Sequence, residues 1–229
     1  MAKRFYKDVA IEAQGDGYIV TLDGRVLKTP GKMALTFKHK NHAELVAEEW
    51  CAQGEDIVPN TMPCTRMMNV ACEQTPPRRS ELVKEFRAYT GTDLLCYRSH
   101  NPKDLAQRQE ESWQPILDLV AEKYGISLAS TTSIKAVAQP EKSLNNAANY
   151  AQAKDDADLT LLVHFMASFG SAMLALVVME KHLRVDTAFA LSRLDEGFQN
   201  ELWGADDEAL ENNRLLLNEL SQMAQLLDV

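Results

Sequence analysis

Residues 9–27 read Val9-Ala10-Ile11-Glu12-Ala13-Gln14-Gly15-Asp16-Gly17-Tyr18-Ile19-Val20-Thr21-Leu22-Asp23-Gly24-Arg25-Val26-Leu27, and this stretch decides the fold of the N-terminal part. Apolar residues alternate with period two on both sides of Gly15-Asp16-Gly17, which predicts two antiparallel strands. Asp23-Gly24 is typical of a type I′ hairpin turn, because both central residues of that turn need positive φ. The stretch therefore predicts a β meander, which Leu35 and Phe37 could extend by one strand.

From Asn101 onward the apolar residues repeat with the period of a helix. Asn101-Pro102 places a proline at the first helical position, and Pro115 predicts a kink or a short break in the helix that follows. Further helices are expected over residues 141–152, 157–181, 187–201 and 206–227. The chain is therefore expected to be an α+β protein, with a small antiparallel β-containing N-terminal domain with short helices over residues 1–100. This domain is expected to pack on an α-helical domain over residues 101–229.

Composition limits the classes of function. With 229 residues and 45% hydrophobic content the chain can build a packed core. Its net charge of -9 argues against nucleic-acid binding, which depends on clustered Lys and Arg. The four cysteines include no Cys-x-x-Cys pair and no neighbouring His at zinc spacing. We therefore expect reduced thiols in a cytosol-like compartment, and neither a metal nor a cofactor.

The stretch from Leu159 to Met179 lacks Asp, Glu, Lys and Arg, and its length approaches the roughly 20 residues that span a bilayer. A membrane-tethered adaptor is therefore one alternative. His164, the small residues around Gly170 and the absence of Trp or Tyr at either end favour a buried central helix instead. The N-terminus also lacks the apolar core of a secretion signal. We expect no membrane span and a location in a bacterial cytoplasm.

No catalytic signature is found in the chain. It has neither a Gly-x-Ser-x-Gly elbow nor a Walker motif. Cys96 could serve as a nucleophile with His100 or His164, but a cysteine flanked by leucines is more often a small core residue. We expect no catalytic residue, and a small-molecule hydrolase or transferase that uses Cys96 or a carboxylate pair remains the alternative.

An ordered series of short blocks extends over nearly the whole chain. The blocks are Leu22-Asp23-Gly24-Arg25-Val26-Leu27-Lys28-Thr29-Pro30, Glu49-Trp50-Cys51-Ala52-Gln53, Met62-Pro63-Cys64-Thr65-Arg66, Thr92-Asp93-Leu94-Leu95-Cys96-Tyr97-Arg98, Arg108-Gln109, Trp113, Pro115, Ser192-Arg193-Leu194-Asp195-Glu196 and Trp203-Gly204. In this order they resemble the assembly-chaperone family that binds the free α subunit of F1-ATPase, known in mitochondria as F1-ATPase assembly factor 2. The resemblance implies a two-domain, non-enzymatic chaperone that shields the α subunit until the β subunit replaces it.

The resemblance also implies roles for two groups of residues. The residues expected to contact the partner are Asp195, Glu196, Trp203, Asp206 and Glu208. The residues expected to support the N-terminal blocks structurally are Arg25, Lys28, Trp50 and Arg66. Trp50 shares a helical face with Val46 and is expected to face the core. Asp206, Asp207 and Glu208 could instead simply cap the last helix, whose N-terminus attracts negative charge.

Overall fold

The computed structural model of the chain describes residues 2–228 and divides them into two compact units. The first unit contains the described residues up to Arg78 together with those from Glu219 onward, and the second is Arg79–Asn218. The change of period predicts a boundary at residue 100, whereas the chain passes into the second unit after Arg78 and returns to the first at Glu219. The α+β class is confirmed, since antiparallel sheets and helices are both present.

The strands of the described chain lie in the first unit. They are β1 (Ala2–Lys3), β2 (Val9–Gln14), β3 (Gly17–Leu22), β4 (Arg25–Val26), β5 (Thr36–Phe37) and β6 (Asp56–Ile57). In the larger sheet β3 is central, with β2 along one edge and β4 and β5 along the other, all antiparallel. Strands β1 and β6 form a separate antiparallel pair.

Two tight turns set the register of the meander. Gly15 has φ 59° in the turn between β2 and β3, where Gln14 pairs with Gly17. Asp23 and Gly24 have φ 49° and 74° between β3 and β4, which is the type I′ pattern. The Asp23 carboxylate accepts hydrogen bonds from the backbone N–H groups of Lys7 and Asp8, at 3.0 and 2.9 Å. The predicted β meander is confirmed.

The helices of the described chain are α1 (Lys40–Cys51), α2 (Pro63–Glu73), α3 (Thr75–Gly91), α4 (Lys103–Tyr124), α5 (Glu141–Ala153), α6 (Asp156–Phe169), α7 (Ala172–Met179), α8 (Val185–Ser192), α9 (Leu194–Trp203) and α10 (Asp207–Ala224). Of the kink or short break predicted at Pro115, the break is wrong, because α4 continues through it with Trp113 and Leu117 buried on either side. The single helix predicted over residues 157–181 is also wrong. Gly170, with φ 66°, ends α6, and the Ser171 hydroxyl accepts the N–H of Leu174 at the start of α7.

Helix α7 is the centre of the second unit. All eight of its residues are buried, which agrees with the buried central helix expected for this part of the sequence. Within residues 2–228 no helix is both long enough and apolar enough to cross a membrane.

The C-terminal segment completes the core of the first unit. Leu220, Met223 and Leu226 are buried there. The side chain of Asn41 donates to the carbonyl oxygen of Gln225 at 2.8 Å, and a ring nitrogen of His42 lies 2.8 Å from the carbonyl oxygen of Leu226. The last turns of the chain are therefore held both by apolar packing and by helix α1.

Candidate functional site

Helix α9 is fixed at its start by polar contacts within the second unit. The Arg193 guanidinium donates to the carbonyl oxygen of Ser168 at 3.1 Å and lies 4.9 Å from the centre of the Phe189 ring. Glu196 accepts a hydrogen bond of 2.7 Å from the side chain of Asn213. The Ser192–Glu196 block therefore positions α9.

Two buried side chains of α4 contribute to the same anchor. Gln109 is fully buried; its amide oxygen accepts the N–H of Ser99, and its amide nitrogen donates to Asp195, both at 2.6 Å. The indole N–H of Trp113 donates to the carbonyl oxygen of Leu191 at 3.1 Å. The acids Asp195 and Glu196 are thus half-buried and hydrogen-bonded inside the unit. Their role as partner contacts stays a prediction.

The other end of α9 is apolar and exposed. Leu202 is 56% exposed and Trp203 is 78% exposed, and the helix ends there because Gly204 has φ 86°. Arg108 holds this end by an ion pair of 2.8 Å with Glu201 and by lying 5.2 Å from the centre of the Phe198 ring. The end of α9 therefore presents two large apolar side chains to solvent.

These side chains border a cavity of about 560 Å³, which we name the α9 groove. Its apolar lining includes Leu105, Phe198, Leu202, Trp203 and Ile134, the last of which is fully exposed. Its polar lining includes Arg98, Gln109 and Asp195. The buried Arg98 guanidinium pairs with Glu110 and donates to Gln114, at 2.8 Å for the latter. An apolar mouth over a satisfied polar base suits binding of another protein surface.

The acidic residues at the start of α10 are exposed. The Asp206 carboxylate accepts the backbone N–H of Glu208 at 3.0 Å, so Asp206 caps the helix. Asp207 and Glu208 lie in the first turn, where the helix dipole favours negative charge. The capping interpretation therefore applies to Asp206, and a contact of Asp206 or Glu208 with a partner stays a prediction.

In the first unit Glu49 joins two of the sequence blocks. One of its carboxylate oxygens accepts the N–H of Cys64 at 2.7 Å, and the other accepts the N–H and hydroxyl of Thr65 at 2.7 and 2.6 Å. Glu49 thereby caps helix α2, although burial raises the pKa of its carboxyl group. Sequence reasoning missed this role, because the sequence signalled Glu49 only by its position beside Trp50 in a block that carries the family resemblance.

The four residues expected to support these blocks fall into two pairs. Trp50 is half-buried, edge-on to Tyr6 with 5.5 Å between ring centres, and Arg66 forms an ion pair with Glu219. Arg25 and Lys28 are instead exposed, and neither forms an ion pair with a residue of the described chain. Contacts of the supporting kind are thus seen for Trp50 and Arg66, and the role of all four residues stays a prediction.

Asp93 is a fully buried carboxylate in the second unit. It accepts hydrogen bonds from the Ser171 hydroxyl at 2.8 Å, the Met173 N–H at 2.9 Å and the Leu95 N–H at 3.0 Å. Burial raises its pKa to about 6, against the opposing effect of these hydrogen bonds. Asp93 thus ties the start of α7 to the Thr92–Arg98 block. Sequence reasoning missed it, because an aspartate next to two leucines gives no local signal of burial.

The alternative chemistry at Cys96 finds no support in the geometry. Cys96 is fully buried, and burial, aided by the negative charge of Asp93, raises the pKa of its thiol to about 12. A thiolate nucleophile would need a lowered pKa and access to a substrate. Among residues 2–228 there is also no group of three His, Cys, Asp or Glu side chains that could hold a metal ion.

Comparison with known proteins gives the family. The model of the ATP12 chaperone protein family matches residues 3–121, more than half of the chain. The chain belongs to the ATP12 chaperone family. The resemblance carried by the sequence blocks is thereby confirmed.

Relatives of this ATP12-family chain cover nearly its whole length. It is 26% identical over 242 residues to the mitochondrial protein atp12 of Schizosaccharomyces pombe, covering 98% of this chain and 81% of the relative. The crystal structure of Atp12 from Paracoccus denitrificans superposes with a TM-score of 0.94 at 36% identity, covering 99% of this chain and 97% of the other. The Atu1473 protein of Agrobacterium tumefaciens gives a TM-score of 0.94 at 32% identity, covering 99% and 85%. The ATP12 family places this chain among the chaperones of F1-ATPase assembly.

Proposed function

We propose that this chain binds the unassembled α subunit of F1-ATPase and shields its interface until the β subunit replaces it. The observation that carries the proposal is the exposed pair Leu202 and Trp203 at the end of a rigidly anchored helix. Large exposed apolar side chains are costly on a monomer, and tryptophan is the residue most enriched at binding hot spots. The α9 groove is the proposed contact surface.

The physical logic is mass action on an exposed interface. An α subunit without its β partner exposes apolar surface and strand edges, which is an aggregation hazard. A stoichiometric binder keeps α in solution and must release it when β arrives, so moderate affinity suffices and no nucleotide chemistry or catalysis is required. We place this action in a bacterial cytoplasm, where α and β would be synthesised.

The acidic residues that follow Trp203 in the sequence would supply the polar rim of the proposed interface. Asp206 and Glu208 are exposed, and they follow Trp203 closely in sequence. A net charge of -9 favours encounter with a basic or polar rim on the partner. Charge of this kind chiefly governs association rate and specificity.

Co-expression tests the proposal directly. The chain should raise the soluble yield of the cognate α subunit but not of β, and capture of purified α should need no ATP. Equal rescue of both subunits would contradict specificity for α, and a strict nucleotide requirement would contradict the mass-action mechanism.

Variants locate the surface. Replacing both Leu202 and Trp203 by Ser should weaken capture of α at least tenfold while the melting temperature stays unchanged, because both side chains already face solvent. The matched control is Leu215→Ser, an equally exposed leucine that does not line the α9 groove. Similar losses from both changes would show that general surface hydrophobicity, and not the α9 groove, holds α.

A further inference from the structure

A second cavity, of about 990 Å³, lies in the first unit, bordered by strand β4 and the end of helix α1. We name it the β4 groove. Three aromatic side chains line it, Phe5, Tyr6 and Trp50. Its volume is at the upper end of the roughly 300 to 1,000 Å³ of sites that enclose a ligand-sized group. None of its lining residues belongs to the second unit, so it is a site additional to the α9 groove.

The aromatic residues of the β4 groove offer apolar surface to an occupant. Phe5 is 71% exposed at the rim. The indole Nε1 of Trp50 is shielded from solvent yet has no hydrogen-bond partner among the described residues. A shielded tryptophan N–H normally finds an acceptor. Because solvent does not reach this nitrogen, an occupant of the groove would contact the ring of Trp50 and not its N–H.

The charges of the β4 groove favour an acidic occupant. Arg25 and Lys28 both line it, both are exposed, and neither has an ion-pair partner within the described chain. The acid that lines the groove, Asp23, already accepts two backbone N–H groups from Lys7 and Asp8, which lower the pKa of its carboxyl group. Arg25 and Lys28 thus form a local positive patch beside aromatic rings, on a chain whose net charge is -9.

The backbone of β4 adds directional donors and acceptors. The N–H of Leu27 donates to the carbonyl oxygen of Val20, so Val20 and Leu27 form a hydrogen-bonded pair. Hydrogen-bonded and non-hydrogen-bonded pairs alternate along antiparallel strands, so the next pair, Thr21 with Val26, is not hydrogen-bonded. The backbone N–H and C=O of Val26 therefore point away from β3. No strand of residues 2–228 pairs with that side of β4. A free edge of this kind accepts an extended segment.

We propose that the β4 groove binds an extended acidic segment of a protein partner. The segment pairs with the free edge of β4, sets a carboxylate against Arg25 and Lys28, and buries an apolar side chain against Phe5 and Trp50. The proposal depends neither on the identity of the client nor on the α9 groove.

A random dodecapeptide library displayed on phage, selected against the full-length chain, tests the proposal. Enriched peptides should alternate acidic and apolar residues, and synthesised examples should bind at least tenfold more weakly to an Arg25→Glu/Lys28→Glu variant. The matched control is Lys123→Glu/Lys142→Glu, which makes the same charge change at exposed sites of the other unit. All three proteins should melt at the same temperature, because these side chains are exposed.

Nuclear magnetic resonance identifies the groove that is occupied. The chain has three tryptophans, so three indole N–H signals are expected, and Trp50→Phe assigns one of them. An enriched acidic peptide should shift the Trp50 signal and leave that of Trp203 unchanged. Failure to enrich acidic peptides, binding that the Arg25/Lys28 variant retains, or a shift of Trp203 alone would each overturn the proposal.

Discussion

The surroundings of Asp93 and the tip of α9 invert the usual distribution of side chains. Asp93 is 0% exposed, whereas Trp203, in the same unit, is 78% exposed. Both belong to sequence blocks that carry the family resemblance. The sequence alone does not distinguish the two blocks, but burial does. The block around Asp93 stabilises the fold, and the block around Trp203 presents a surface to solvent. Changes at the first should lower stability, and changes at the second should weaken binding.

The largest effect is expected from Asp93→Ala. It removes the acceptor for a buried hydroxyl and two buried N–H groups, which should lower the free energy of unfolding by roughly 3 to 6 kcal/mol. Urea denaturation measures it, with Trp203→Ala as the counterpart expected to change stability by less than about 0.5 kcal/mol. If the two variants lost similar stability, the contrast between the blocks would not hold.

The pH dependence of stability provides a second measure of the Asp93 site. Its pKa of about 6 in the folded chain exceeds the 3.8 of an ordinary aspartate, so the folded state holds the proton more tightly. This contribution to stability is complete below pH 3.8 and is lost as pH rises through about 6, a change of about 3 kcal/mol.

Urea denaturation at several pH values, for the wild type and for Asp93→Asn, isolates this contribution. The difference between the two proteins should vary between pH 4 and 7, because the asparagine has no proton to lose. A constant difference across this range would show that the pKa of the Asp93 carboxyl is not raised in the folded state.

Trp50 lies between the two extremes and sharpens the comparison. Trp50→Arg removes the edge-on contact with Tyr6 and places a guanidinium at a half-buried position, which should cost about 2 to 3 kcal/mol. Trp50→Phe keeps an aromatic ring and should cost less. A Trp50→Arg protein with an unchanged melting temperature that no longer captures α would place Trp50 with the surface residues.

The smallest effect is expected at the start of α10. Asp206→Asn/Glu208→Gln keeps the cap and removes two charges, so stability should fall by only about 0.3 to 1 kcal/mol per charge. If these acids contact α, association should slow at low salt and lose part of its salt dependence. Stopped-flow kinetics at two salt concentrations, with Asp16→Asn/Glu122→Gln as the control, measures this. An unchanged association rate would leave the acids with the capping role alone.

Local rules predicted the parts of the fold that depend on neighbours in sequence. Asp23-Gly24 specified its turn, because positive φ is a property of the turn residues themselves. The division of the long apolar stretch at Gly170 was missed, because a helix and a pair of helices share one apolar composition. A break at Pro115 was one of two expectations, and it does not occur, because burial of the neighbouring residues outweighs one lost hydrogen bond.

The candidate site was predictable only in part. Of the residues that line the α9 groove, Asp195 and Trp203 were singled out by family resemblance, whereas Leu202 and Ile134 were not. The anchors Gln109 and Asp93 did not, because their importance comes from partners 86 and 78 residues away in sequence. Polar side chains that pair over such separations leave no periodic pattern in the sequence by which they could be predicted.

The path of the chain bears on its synthesis. In the sequence, Arg79–Asn218 interrupts the first unit. The core of that unit includes Leu220, Met223 and Leu226, which are synthesised after the second unit. On the ribosome the first residues of the first unit emerge before the second unit, and its last residues emerge after the second unit is complete. Folding of this chain is therefore not vectorial. A product truncated after Asn218 would therefore hold every residue of the second unit but lack three core side chains of the first.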